Sequence, residues 1–229
     1  QGWTAKTPMY IGETNCAVSR EQCVGIPRAL TYGLFTNHAA RKGYVGSVSP
    51  AVWAYSTCDG QGTICGASDG RSDWPQAAAI ITPNDTIAQP SWYAHHMVGS
   101  NWGDESLATT PNSTSCGGAT EGAVDVAVLT NQSGTSVAVH VTSTCPQAVE
   151  VRVAFVRGAL CSRTATATVL TGGTDPSTVN SVDDPFHVVP KPLEVSIADE
   201  VMHFTLPASS LAVVNVCAST RTRELSFGQ

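Results

Sequence analysis

The chain is 229 residues long and only 13% charged, with a net charge of −6 and a pI near 5.4. Twelve Lys and Arg against 18 Asp and Glu supply no basic footprint for nucleic acid or an anionic membrane surface, and no apolar run approaches the ~20 residues of a membrane span. The length suffices to bury roughly 70% of the unfolded surface, enough for one large domain or two small ones.

The chain opens on Gln1 rather than Met, as a processed end or a trimmed sequence does. Its first organised stretch is Pro8-Met9-Tyr10-Ile11-Gly12-Glu13-Thr14-Asn15. Tyr10 and Ile11 favour a buried strand, Pro8 suits a strand's first residue, and Gly12 allows close approach of another backbone or a ligand just before the acid. Parallel α/β structures present their chemistry at the carboxyl ends of strands, which makes Glu13 a candidate catalytic carboxylate; the plain alternative is a solvated glutamate after an edge strand. Beyond Cys23, the apolar residues at 26, 30 and 34 share one face of a helix that runs to about Arg41, with Pro27 in its first turn and Gly43 ending it. Val45 to Tyr55, with Trp53, reads as a second buried strand, so strand, helix and strand make a βαβ unit that requires a parallel sheet.

Residues 57–73 form a Gly/Ser/Asp loop whose Asp59, Asp69 and Asp73 read as solvated, the alternative being that they line the site. The apolar stretch from Trp74 to His96 is broken by turns at Pro83-Asn84-Asp85 and Gln89-Pro90 and ends in a short helix from Trp92 to Met97. Beyond Trp102 the character changes. Segments 123–130, 134–143, 147–157, 164–171, 193–198, 200–206 and 209–217 are Val/Thr/Ala-rich and separated by Gly, Pro, Asn and Asp, the pattern of an antiparallel β-sandwich. The fold class expected is therefore mixed: residues 1–96 as the last strands and helices of an incomplete (β/α)8 barrel, and residues 97–229 as a β-sandwich domain.

The eight cysteines, Cys16, Cys23, Cys58, Cys65, Cys116, Cys145, Cys161 and Cys217, are even in number. The Cys-x6-Cys gaps exceed the two to four residues of a structural zinc knuckle, so four disulfides are expected, with Cys16–Cys23 and Cys58–Cys65 as local clips and the pairing of the other four left open. Three sequons, at Asn84, Asn112 and Asn131, point to the same oxidising, secretory route and to exposed, glycan-bearing turns. His95 and His96 are adjacent on a helix and do not face each other, so neither a metal site nor a cofactor is expected. Residues 107–120 and 162–181 contain no Gly-x-Ser-x-Gly nucleophile elbow.

Three pieces of the chain resemble the retaining glycosidases of the large barrel clan, glycoside hydrolase family 51 (α-L-arabinofuranosidases) above all. Residues 8–15 resemble the seventh barrel strand ending in the nucleophile glutamate. Trp74-Pro75-Gln76, Ala79-Ile80-Ile81, Gln89-Pro90-Ser91-Trp92-Tyr93 and Trp102-Gly103-Asp104 are similar to the segment that leaves the eighth strand for the sandwich. Asn180-Ser181-Val182-Asp183-Asp184-Pro185 with Val188-Val189-Pro190, and Leu206-Pro207-Ala208-Ser209-Ser210, resemble the sandwich's closing strands. Gly12-Glu13-Thr14-Asn15 is also similar to family 79, the heparanase and β-glucuronidase group, which shares the same two-domain plan.

The resemblance implies a retaining mechanism with Glu13 as nucleophile and a carbohydrate substrate. Trp53 is then a candidate for stacking on a sugar face and Tyr10 for contacting substrate; the alternative for both is core packing. The clan's acid/base lies in an Asn-Glu pair, which this chain does not contain, so an upstream segment or subunit is expected to complete the barrel and supply it. The rival expectation is a non-catalytic extracellular glycoprotein that keeps the sandwich as a structural module and assembles with copies of itself.

Overall fold

The computed structural model describes residues 11–14, 25–42, 48–50, 54–56, 78–111, 116, 123–155, 160–173, 175, 177–218 and 224–228. The first part holds strands β1 (Ile11–Thr14), β2 (Val48–Pro50), β3 (Ala54–Ser56), β4 (Ala79–Ile81) and β5 (Thr86–Ala88) with helices α1 (Ile26–Arg41) and α2 (Pro90–Gly99). The rest is all-β: β6 (Glu105–Ser106), β7 (Ala108–Pro111), β8 (Val124–Thr130), β9 (Ser136–Ser143), β10 (Val149–Phe155), β11 (Leu160–Thr171), β12 (Lys191–Pro192), β13 (Ser196–Ala198), β14 (Val201–Leu206), β15 (Ser210–Ala218) and β16 (Glu224–Gly228).

Two sheets make the sandwich, one of six strands in the order β12-β11-β15-β9-β8-β6 and one of five in the order β13-β14-β10-β16-β7. Their pairs are antiparallel except β16 with β7, which runs parallel at the edge of the smaller sheet. Period-2 alternation sends one set of side chains into the space between the sheets: Val137, Val139 and Val141 of β9 and Ala212, Val214 and Val216 of β15 meet Val151, Val153, Met202, Phe204 and Leu206 of the facing sheet.

The other face of the six-stranded sheet is also covered. Leu170 of β11 and Leu211 and Val213 of β15 pack against Ile26, Ala29 and Leu30 of α1 and Ala94, Met97 and Val98 of α2. Central strands buried on both faces need no polar side, which is why 210–218 reads as a nearly continuous apolar run rather than a clean alternation. The helix layer sits close to the sheet because position 33 is a glycine: a Cβ there would lie 2.9 Å from the Leu211 side chain and collide with the Thr142 hydroxyl. At the far end of α1, Arg41 Nη1 lies 2.8 Å from the Asp125 carboxylate on β8.

In the first part, β1 pairs in parallel with β2 across the α1 connection, as a βαβ unit requires. The single strand expected over 45–55 is two strands with different partners: β2 pairs with β1, while β3 runs parallel to β4, which in turn is antiparallel to β5. Among the described residues these strands form sheets of two and three strands. The second helix is longer at both ends than the expected 92–97, and it crosses residue 96 with its buried face in the same core as α1 and the sandwich.

Candidate functional site

Glu13 is the next-to-last residue of β1, within the strand rather than beyond it. The register places Ile11 opposite Val48 and Thr14 opposite Pro50, so the two parallel strands end together and Glu13 stands at their shared carboxyl end. The carboxyl ends of parallel strands are where α/β proteins place reacting groups. A carboxylate there can act as a nucleophile or as a proton acceptor. Tyr10, Trp53, Asn112 and the cysteines at 16, 23, 58 and 65 lie outside the described residues.

The remaining sequence-derived positions are placed as follows. Asn84 is exposed at the tip of the β4–β5 turn, closed by Thr82 N–H donating to the Asp85 carbonyl at 2.8 Å. Asn131 is half-buried in the β8–β9 turn. Its Oδ1 accepts from the Thr135 and Ser136 amides at 2.9 and 3.1 Å, and its Nδ2 donates to Thr135 Oγ1 at 3.1 Å. The four cysteines whose pairing spacing left open form Cys116–Cys145, which is buried, and Cys161–Cys217, which joins the exposed side chains of neighbouring strands β11 and β15.

The two adjacent histidines diverge. His95 is buried against the Tyr32 ring, centroids 3.6 Å apart, and its pKa is pushed down to about 4, first by burial and then by the Arg28 charge. The same burial pushes the Tyr32 phenol up to about 12. His96 is exposed and stacks on Trp92 at 5.1 Å and 14°. No cluster of three or more His, Cys, Asp or Glu capable of holding a metal occurs among the described residues, and none of their helices is long and apolar enough to cross a membrane.

Two polar assemblies, one half-buried and one buried, escaped the sequence reading. Asn101, just beyond α2, joins helix to sandwich: its Nδ2 donates to the Met97 carbonyl at 2.6 Å, its Oδ1 accepts from Asn215 Nδ2 at 2.7 Å, and its carbonyl lies 3.1 Å from His140 Nε2. Asn180 ties a loop to β5. Its Nδ2 donates to the carbonyls of Ala88 (2.7 Å) and Val188 (3.0 Å), its Oδ1 accepts from the Val188 amide at 2.7 Å, and its carbonyl accepts from Gln89 Nε2 at 3.1 Å. The only signal in sequence is an asparagine standing where its neighbours are turn residues.

A family model described as the alpha-L-arabinofuranosidase C-terminal domain matches residues 74–210. Among curated proteins none matches the chain. Among solved structures, the arabinose-bound MgGH51 α-L-arabinofuranosidase is similar with a TM-score of 0.66 at 18% identity, over 86% of this chain and 28% of that one. The family 51 α-L-arabinofuranosidase AbfB from Bifidobacterium longum gives 0.61 at 15% identity, over 86% and 36%. The family 30 xylanase Xyn30A from Clostridium acetobutylicum gives 0.58 at 10%, over 92% and 42%. The chain thus spans well under half the length of these solved structures, and at such identities the likeness is one of fold. The matched residues run from β4 through α2 and take in the sandwich strands β6 to β14, and the chain belongs to the α-L-arabinofuranosidase C-terminal domain family.

Proposed function

We propose that this chain is the carboxy-terminal portion of a secreted retaining glycosidase acting on α-L-arabinofuranosides. Residues 1–96 contribute the last part of a (β/α)8 barrel and 97–229 its attached sandwich. The observation that carries this reading is the position of Glu13 at the common carboxyl end of the parallel pair β1 and β2, joined through α1. Membership in the domain family supports it.

In a retaining mechanism one carboxylate attacks the anomeric carbon while a second carboxyl, ~5 Å away, protonates the departing oxygen; the second group then takes a proton from the water that hydrolyses the glycosyl-enzyme. Glu13 is the attacking carboxylate in this account. The acid/base comes from an upstream segment that also completes the barrel. Tyr10 and Trp53 are the residues proposed to contact the sugar. Two disulfides and an exposed sequon at Asn84 support export through an oxidising compartment, with glycans at Asn84, Asn112 and Asn131.

The test is hydrolysis of an aryl α-L-arabinofuranoside by the assembled protein. Glu13→Gln abolishes turnover and leaves the fold intact. Wild-type turnover in that variant would remove Glu13 from the mechanism.

A further inference from the structure

We propose that the hollow beside the Asn131 sequon is the seat of that residue's own N-linked glycan, whose first N-acetylglucosamine packs against Trp102. The inference rests on the export and glycosylation reading above and not on the catalytic role of Glu13. The hollow has a volume of about 170 Å³. Its floor is the row Leu129, Ala138 and Asn215, paired side by side on β8, β9 and β15 on the face away from the sandwich core. Ala138 is the smallest of the three, and its short side chain leaves room between its neighbours. One wall is the connection 100–103 that follows α2, and another is the β8–β9 turn with Asn131 itself.

Both walls are fixed before any sugar arrives. Gly103 lies so close to β8 that a Cβ there would stand 2.7 Å from the Thr130 carbonyl oxygen and 2.9 Å from the Leu129 side chain. The Asp104 amide donates to the Thr130 carbonyl at 2.9 Å, and Asp104 Oδ2 accepts from the Gln132 amide at 2.8 Å, which ties the connection to the turn. None of the residues lining the hollow is charged, a setting that suits a neutral polyhydroxylated ring rather than an anion or a metal ion. Trp102, half-buried in the wall, brings an indole ring for the C–H side of a sugar and an Nε1–H donor for a hydroxyl, with the hydrogen-bonded amides of Asn101 and Asn215 beside it.

The occupant is set by the sequon in the wall. Asn131-Gln132-Ser133 fits the N-glycosylation pattern, and the amide that would carry the sugar is held still, Oδ1 by the Thr135 and Ser136 amides and Nδ2 by Thr135 Oγ1. An amide nitrogen carries two hydrogens, and the contact with Thr135 uses one. Attachment exchanges the other for C1 of the sugar. The C1–Nδ2 bond forms as C1 parts from the pyrophosphate of a lipid-linked glycosyl donor, which the secretory compartment supplies, and the displaced proton leaves to water. The bond to Thr135 survives. A half-buried asparagine in the wall of a sugar-sized hollow sets its first ring against protein, and because amide and walls are already ordered, little freedom is lost on seating. Asn84, exposed at the tip of its own turn, is the internal control.

The experiment secretes the assembled protein from a eukaryotic host and compares it with Ser133→Ala, which deletes the sequon and leaves Asn131 in its turn. Peptide mass spectrometry is expected to find a glycan on Asn131. Hydroxyl-radical oxidation of Trp102 should rise severalfold in Ser133→Ala while that of Trp92 stays constant, and the variant should melt about 2–4 °C lower, the shift of a contact worth ~1 kcal/mol in a chain of this size. Ser133→Thr keeps the sequon and should match the wild type. Because Ser133 Oγ also contacts Thr135 Oγ1, wild type and Ser133→Ala are melted again from a host that adds no glycans; an equal gap there assigns the loss to the hydroxyl and overturns the seat. Unmodified Asn131 in a chain glycosylated at Asn84 overturns it too, as does a glycan on Asn131 whose removal leaves Trp102 oxidation unchanged. Modification at neither asparagine overturns the export reading along with the seat, whereas labelling of Glu13 by an arabinofuranose-configured epoxide reports on the glycosidase reading independently.

Discussion

His140 Nε2 lies 3.1 Å from the carbonyl oxygen of Asn101. A carbonyl can only accept, so the ring carries its proton on Nε2 and presents a bare lone pair at Nδ1, which is buried and has no hydrogen-bond partner. This contact fastens the end of α2 to the middle of the six-stranded sheet. Burial drives the His140 pKa down to about 4, outweighing the opposite pull of the Asn101 carbonyl.

Acid weakens the fold through this histidine. Its folded pKa lies below the unfolded value near 6.5, so the unfolded chain binds more protons between pH 6.5 and 4. The stability contributed is complete above pH 6.5 and is lost as pH falls towards 4, on the order of 3 kcal/mol in all. His95 acts in the same direction over the same window. Urea midpoints between pH 7 and 4.5 should fall steeply in the wild type and less steeply in His140→Gln, which keeps a donor for Asn101 but cannot titrate.

Gly33→Ala should destabilise by about 1–3 kcal/mol, although alanine is the better helix former by ~1 kcal/mol at an exposed site. The added methyl meets the Thr142 hydroxyl and Leu211. Chemical denaturation of the two proteins measures the difference, and a stabilised variant would mean that α1 stands farther from the sheet than described.

Asn180→Ala removes a buried side chain that satisfies one amide and two carbonyls, an expected loss of about 2–4 kcal/mol. Asn180→Asp should be no better at neutral pH. It keeps the acceptor for Val188 but sets a second carboxylate oxygen against the carbonyls of Ala88 and Val188. Thermal melts of the two variants check both the size and the order.

The two disulfides should separate on reduction. Cys161 and Cys217 are exposed, whereas Cys116 and Cys145 are fully buried, so a mild thiol under native conditions should open Cys161–Cys217 first, as alkylation and peptide mapping would show. With sequence separations of 29 and 56, loop-closure entropy assigns the bridges about 3.5 and 4 kcal/mol, so the exposed one is the costlier to lose.

Much of this architecture was legible in sequence because it depends on local periodicity. The helix Ile26–Arg41 coincides with its expected span, since its buried positions recur at helical spacing and Pro27 marks its start. The seven apolar segments of the sandwich each overlap an observed strand, although β11 starts four residues before its segment, at Leu160, and β15 runs one residue past its own, to Ala218. What went unread are pieces too short or too irregular to show a period: Glu105–Ser106, Lys191–Pro192, the proline-ended Ala108–Pro111 and the five-residue Glu224–Gly228. These are edge or near-edge strands defined by their neighbours rather than by their own residues. The Asn180 and Asn101 assemblies were hidden for a related reason. Their partners are remote in the chain, with Ala88 92 positions from Asn180 and Asn215 114 from Asn101, and a single amide leaves no hydropathy pattern. The location of Glu13 at a strand's carboxyl end could be read from Gly12 and the apolar run before it, because that feature is local.

Covalent trapping tests the role of Glu13 most directly. The assembled protein is incubated with an epoxide inhibitor of arabinofuranose configuration, digested and sequenced by mass spectrometry. One equivalent of label on Glu13, blocked by free arabinose and absent from Glu13→Gln, is the predicted result. Label on a different carboxylate of a catalytically active assembly, or full activity with Glu13 unmodified, would contradict it.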